Sequence, residues 1–313
     1  MEQIQWFPGH MAKTRKLMAD NLRLVDVVVE ILDARLPQSS RNPLIDGMIG
    51  EKPRVLVLAK ADLAEEVYTG AWITQFQQRG LTAIACNFKG PNPKAEIKRV
   101  TDALRAQARE LLRKRQGRGI KDTTVRAMIT GIPNVGKSTM INLLAGRTTA
   151  DTADRPGVTR GKQWIRLELG LELLDMPGIL WPNLEDREGA RKLAATGAIG
   201  DNAYDPTELA VWLIGWLREH RPGRLAGRYG VVESGEGGDD AVIPVSYRED
   251  DEAEAADMTS LSILEAIGRR RGLLRKGGIV EVDKAAVIVL DELRGGKLGR
   301  ITWDDPDKQA ATP

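Results

Sequence analysis

The sequence predicts an α/β domain built on a parallel-rich sheet, followed by a small, mainly helical domain. Three observations carry this. Short β-branched runs alternate with stretches of helical spacing through the first half of the chain. A glycine-rich loop, Gly131 to Ser138, stands between a strand-like run and a helix-like one. After Asp175-Met-Pro-Gly178 the strand-like runs stop and amphipathic helical patterns take over.

The elements follow in order. Strands are expected from about Val25 to Asp33, Arg54 to Ala59 and Leu81 to Cys86, each followed by helical spacing, which is the βαβ signature of a parallel sheet. Pro93 to Gly117 places Ile97, Val100, Leu104, Ala108 and Leu111 three and four residues apart, a helix with one apolar stripe and a basic outer face. Val125 to Thr130 is the strand that feeds the glycine loop, and Thr139 to Ala145 opens the next helix. Trp164 to Leu169 and Leu171 to Leu174, around Gly170, read as a hairpin. Helices are then expected at Pro206 to His220, Ser260 to Arg271 and Asp283 to Arg294. Glu233 to Asp257 holds ten acidic residues and one basic one, Arg248; it reads as an acidic insertion whose core is expected to be a mobile loop with too little apolar area to order itself, rather than an acidic mimic of nucleic acid. The expected division is a sheet domain over 1–200, a helical domain over 201–303 and a tail over 304–313.

A chain of 313 residues is long enough for two domains, and 42% hydrophobic with 29% charged residues is an ordinary globular balance. Cys86 is the only cysteine, so no disulfide forms within the chain, and with only His10 and His220 beside it a four-ligand zinc site is close to excluded. The first residues lack a basic stretch followed by an apolar core, and runs such as Val25 to Leu32 are far short of a membrane span, so a cytoplasmic protein is expected. The net charge of +2 hides an uneven distribution, acidic over 233–257 and basic at Arg269, Arg270, Arg271, Arg275 and Lys276.

The loop Gly131-x-x-x-x-Gly136-Lys137-Ser138 carries the strongest chemical signal. Its glycines let backbone N–H groups turn onto phosphates, the helix N-terminus adds its dipole, Lys137 reaches the β- and γ-phosphates, and Ser138 ligates magnesium. Asp175-x-x-Gly178, after a strand, has the form of a pair in which the aspartate holds magnesium through water and the glycine N–H senses the γ-phosphate. Thr159, in Pro156-Gly-Val-Thr159, is the candidate switch threonine. Ile179 stands where many such enzymes carry a glutamine that orients the attacking water, so hydrolysis needs another device. Ala59-Lys60-Ala61-Asp62 has the spacing of a guanine-recognition motif, Asn-Lys-x-Asp, without its asparagine, and it precedes the glycine loop instead of following it.

Taken together, these motifs resemble the circularly permuted GTPases of the ribosome biogenesis GTPase A (YlqF-type) family, nearly end to end. The likeness is carried by Trp6-Phe-Pro-Gly-His-Met11, Asp33-Ala-Arg-Leu-Pro37, Ser39-Ser-Arg-Asn-Pro43, the glycine loop and Pro156-Gly-Val-Thr159. It continues in Asp175-Met-Pro-Gly-Ile-Leu-Trp-Pro182, Ile267-Gly-Arg-Arg-Arg-Gly272 and Gly296-Lys-Leu-Gly-Arg300. The resemblance implies a permuted GTPase domain, in which Lys60 and Asp62 come first in sequence yet sit beside the loop.

Carried over residue by residue, it implies nucleotide contacts from Lys60, Asp62, Asn87, Pro133, Asn134, Val135, Gly136, Lys137, Ser138, Thr139 and Gly178. It implies Mg2+ held through Ser138, Thr159 and Asp175, K+ at Asn134, and hydrolysis served by His10, Lys137 and Thr159, His10 replacing the missing glutamine. It further implies a monomer, without membrane partners, that acts late on the large ribosomal subunit precursor and hydrolyses GTP in response to it. RNA would be held through Arg269, Arg270, Arg271, Arg275, Lys276, Lys297 and Arg300. The alternatives are an RNA-binding assembly scaffold with a weakened nucleotide site, pointed to by Ala59, and a small-subunit assembly GTPase. The second usually carries a zinc cluster or an added OB-fold that this sequence lacks.

Overall fold

Residues 16, 18–120, 124–146, 163–167, 170–176, 187–233 and 249–309 are described by a computed structural model of the chain. A six-stranded sheet is formed by β1 (Val27–Asp33), β2 (Arg54–Ala59), β3 (Thr82–Cys86), β4 (Val125–Gly131), β5 (Gln163–Leu167) and β6 (Leu171–Asp175). Its spatial order is β3-β2-β1-β4-β6-β5, parallel throughout except for the β5–β6 hairpin. The loop-bearing strand β4 lies between β1 and β6, next to the first strand of the chain. A chain that began at β4 and ended at β3 would trace the same sheet with the same neighbours, so the fold is a circular permutation of a P-loop GTPase sheet.

Parallel strands covered on both faces read as continuous apolar runs, and every residue of β1 is buried. Glu30 is the exception in chemistry. Its carboxylate accepts from the Asn42 N–H at 3.3 Å and pairs with Arg54 at 3.1 Å, while burial pushes its pKa up. The connecting helices are α1 (Pro43–Ile49), α2 (Glu66–Gln78), α3 (Pro93–Gly117) and α4 (Lys137–Ala145). Helix α3 occupies the expected span because Asn92 caps it, accepting from the Ala95 N–H at 3.2 Å, and Pro93 needs no partner at the first helical position.

The second half is helical: α5 (Arg187–Ala195), α6 (Pro206–His220), α7 (Arg224–Tyr229), α8 (Glu249–Arg270), α9 (Val282–Arg294) and α10 (Pro306–Gln309). Asp205 caps α6 by accepting from the N–H groups of Thr207 at 2.7 Å and Glu208 at 3.0 Å. Leu209, Leu213, Ile214 and Leu217 then line its buried face, and α6, α8 and α9 pack against one another.

Two boundaries fall elsewhere than expected. Helix α8 begins at Glu249, where the sequence pattern starts it at Ser260; alanine and glutamate there are good helix formers, and acidic residues favour a helix N-terminus. Residues 234–248 lie outside the described residues. The division at 200 and 303 also shifts: one unit is Ala194–Gly299, and the other ends at Leu193 and resumes at Arg300. At the first boundary Arg294 donates to the carbonyls of Ala194 and Ala195, tying that turn to α9. At the second, the Ile301 N–H donates to Leu63 and the Trp303 N–H to Arg35, returning the chain to the sheet.

Candidate nucleotide-binding site

The carboxyl ends of β1, β2, β3, β4 and β6 lie along one edge, because these strands are parallel and in register: Asp33 pairs with Ala59, Ala59 with Cys86, and Ile129 with Asp175. The chain leaves the sheet in opposite directions from β1 and β4, and ligands of open α/β sheets bind outside the carboxyl ends at such a switch point.

The loop after β4 has the conformation its glycines predict. A Cβ on Gly131 would stand 2.5 Å from the Ile31 carbonyl oxygen, so only glycine lets β4 and β1 approach this closely. Gly136, at φ 113°, is the N-cap of α4 and turns the chain so that the first N–H groups of the helix face the edge. Pro133 and Val135 are buried beneath the loop; Asn134, at φ 55°, is exposed on it, and Ser138 and Thr139 are half-buried in the first turn of α4. Lys137 is 8% exposed, with Nζ 3.5 Å from the Ile132 carbonyl oxygen. Burial pulls its pKa down to about 8, against the Asp175 carboxylate, which raises it.

Asp175, 4% exposed at the end of β6, stands in register with Ile129 of the loop-bearing strand. Its carboxylate and the Ser138 hydroxyl are hard oxygen donors, the type that suits Mg2+, which is commonly held by one or two protein oxygens together with substrate phosphates. These two residues fit that ion. Bound there, it would supply positive charge to the phosphates of a nucleotide. His10, Thr159, Gly178 and Ile179 lie outside the described residues.

Just past the carboxyl end of β2, Lys60 adopts a left-handed conformation (φ 57°, ψ 36°) and opens the short 3-10 turn Ala61–Leu63. Its Nζ lies 3.1 Å from Asp33 Oδ2. Asp33 is itself clasped by Arg35, whose Nε and Nη2 donate at 2.9 and 2.7 Å and whose backbone N–H donates at 3.0 Å. Burial raises the pKa of the Asp33 carboxyl, yet Arg35 and Lys60 outweigh it and hold the group well below the usual range. Asp62 is exposed and has no partner among the described residues, so its carboxylate is open to a ligand. Asn87, half-buried just past β3, accepts the Lys89 N–H at 3.0 Å and so shapes the neighbouring turn.

Ala59 is fully buried, and a Cβ on Gly136 would lie 3.7 Å from its methyl carbon. The position of the missing asparagine therefore points into the glycine loop. Ala59→Asn is expected to tighten GDP binding by up to about tenfold, the value of one neutral hydrogen bond of about 0.5–1.5 kcal/mol. Titration calorimetry giving an unchanged affinity would show that the loop makes up for the alanine by other contacts.

Sequence reasoning missed two supports of this end. Asp33 and Arg35 belong to a recognisable motif, but their pairing with Lys60 appears only in three dimensions. Residues 301–304 form a strap. The N–H groups of Glu65 and Thr302 donate reciprocally to the Thr302 hydroxyl and the Glu65 carboxylate, both at 3.0 Å. Asp304 accepts from Gln38 and Ser39, and its carbonyl accepts from Trp72 Nε1 at 2.9 Å. The strap thus buttresses the turns behind both Asp33 and Asp62.

The seven basic residues marked for RNA fall in different settings. Arg271 donates to Glu292 at 2.9 Å alongside Arg228, in a cluster in which the Arg228 hydrogen bond leads in holding the Glu292 carboxyl down to about 2. Lys297 lies 3.8 Å from the same carboxylate. Arg269 and Arg275 pair with Glu265 and Glu281 at 3.6 and 3.1 Å. Arg300 lies in the sheet unit, 3.8 Å from Glu66. Arg270 and Lys276 are exposed.

Comparison with known proteins agrees with this geometry. The family described as "50S ribosome-binding GTPase" matches residues 126–214, which begin in β4 and include the glycine loop. Ribosome biogenesis GTPase A of Bacillus cereus is 44% identical over 305 residues, covering 97% of this chain and 95% of the relative. The protein of the same name from Thermotoga maritima is 30% identical over 304 residues, covering 97% and 95%. The crystal structure of GNP-bound YlqF from T. maritima superposes with a TM-score of 0.60 at 26% identity, covering 94% of this chain and 99% of that one. The chain binds GTP and GDP and is a GTP hydrolase, releasing GDP and phosphate. With its permuted sheet, glycine loop and full-length relatives, it belongs to the ribosome biogenesis GTPase A family.

Proposed function

We propose that this GTPase binds the precursor of the large ribosomal subunit in the cytoplasm, as a monomer, and couples GTP binding and hydrolysis to a late maturation step. The observation that carries the reading is the permuted order itself. Asp175 is the last residue of β6, and the chain beyond it leads towards Ala194–Gly299. A γ-phosphate contact at Gly178 therefore acts on the segment that precedes the helical unit, a switch-to-domain coupling. In this reading His10 supplies the water-orienting group that Ile179 cannot, Asn134 would hold a K+ whose charge adds to that of the loop, and Thr159 would complete the ligands of Mg2+. The ribosomal partner stimulates turnover. Among the described residues no helix is long and apolar enough to cross a membrane.

Sedimentation with large-subunit precursors, mature large subunits and small subunits tests this. Co-sedimentation with the precursor is expected to be strongest with a non-hydrolysable GTP analogue and weakest with GDP. Binding that ignores the nucleotide would reduce the protein to the scaffold that Ala59 hints at, and binding to small subunits alone would overturn the partner.

A further inference from the structure

The geometry points to a second RNA-binding surface, on the GTPase unit itself, where Arg105, Arg109 and Arg113 of α3 line a groove that takes the phosphate backbone of a structured RNA. The groove has a volume of about 580 Å³, and its other wall is formed by Val125 and Gly170.

The arginines recur every four residues, so they stand on one face of α3 about 6 Å apart along the axis. That is comparable to the step between successive phosphates on a strand. Arg109 and Arg113 are exposed and have no carboxylate partner among the described residues. The acids nearby are already paired: Asp102, which also lines the groove, with Lys98 at 2.7 Å, and Glu110 with Lys114 at 3.6 Å. Five of the seven basic residues singled out by sequence have a carboxylate within ion-pair distance instead. Uncommitted positive charge is thus found on α3. Guanidinium forks in a row with apolar walls suit phosphates, and an RNA helix recognised by shape presents them in a line.

Val125 opens β4, whose other end carries Gly131. Seven residues of strand put the groove about 20 Å from the glycine loop, on the opposite edge of the sheet. RNA held there does not compete with nucleotide, so this surface stays engaged in either nucleotide state.

The inference rests on the ribosomal reading above, and the test separates the two. Fluorescence anisotropy of a labelled double-stranded RNA hairpin is followed with the full chain between about 50 and 200 mM salt. Arg109→Ala/Arg113→Ala is expected to lower the log–log salt slope by roughly 1.5–2 and the affinity near 0.1 M salt by roughly 10- to 100-fold. GDP affinity and the circular dichroism spectrum should not change, and Arg109→Lys/Arg113→Lys should keep most of the slope. An Ala pair with the parent's slope and affinity overturns the groove while leaving the ribosomal reading intact. Loss of binding to an acidic polypeptide with RNA binding retained overturns it in favour of a protein partner. Parent protein that binds neither the hairpin nor the precursor overturns both.

Discussion

Lys137→Met is expected to weaken GDP binding roughly 10- to 150-fold and to lower kcat by roughly 10²–10³ while raising the melting temperature of the nucleotide-free protein. The binding loss corresponds to one charge-assisted hydrogen bond of about 1.5–3 kcal/mol, and the turnover loss to removal of a fixed positive group facing the charge that develops on the phosphoryl oxygens. The stability gain has a separate origin. Lys137 is almost fully buried with its ammonium poorly solvated, and methionine fills similar volume without a charge. Calorimetry of the two proteins with and without GDP checks both signs, and a nucleotide-free variant that melts lower than the parent would show that the lysine is chiefly structural.

The same residue gives two opposite pH dependences. Burial pulls its pKa down to about 8, from 10.5 ordinarily. Between those values the unfolded chain holds a proton that the native state has shed, so the burial cost is fully present below about pH 8 and is relieved as pH rises. Phosphate binding needs the charged form, so GDP affinity is expected to be flat below about pH 7 and to fall towards tenfold per pH unit above pH 8. In Lys137→Met both dependences should vanish.

How much of this was legible in sequence depends on the range of the interaction. Helix α3 was placed to the residue because Asn92 and Pro93 signal its start locally, and α6 because Asp205 and Pro206 do the same. The glycine loop was legible because Gly131 and Gly136 answer a backbone need that few other residues meet. The clasp of Asp33 by Arg35 and Lys60 had no local signature beyond the motif that contains it. The strap is harder still: Asp304 meets Ser39 across 265 residues of chain, and nothing in Ile301 to Asp304 announces that partner. The start of α8 was misread for another reason. Composition equates dense charge with disorder, whereas alanine and glutamate at Glu249 to Asp257 also have high helix propensity.

Asp62→Asn is expected to weaken GDP binding by roughly 10²–10⁴ and to turn the preference from guanine to xanthine. A carboxylate accepts from both guanine N1–H and the exocyclic amino group, and each such bond to a charged acceptor contributes about 1.5–3 kcal/mol. Asparagine accepts only on its oxygen and sets its own amide hydrogens against the guanine amino group. Xanthine carries a carbonyl at that position, so the amide finds an acceptor where guanine offered a donor. The fold should not respond, because Asp62 is exposed and has no partner among the described residues, and substitutions at such sites change stability by about 0.5 kcal/mol or less. The turn is held in place instead by Lys60 on Asp33 and by the Ile301 N–H on the Leu63 carbonyl oxygen. Selectivity and stability are therefore separable here. Competition of GDP, XDP and ADP against a fluorescent guanine nucleotide measures the first, and thermal melting the second. A variant that keeps the parent's GDP affinity would remove Asp62 from base recognition, and with Ala59 already lacking the amide, no side chain of the motif would remain to read the base edge.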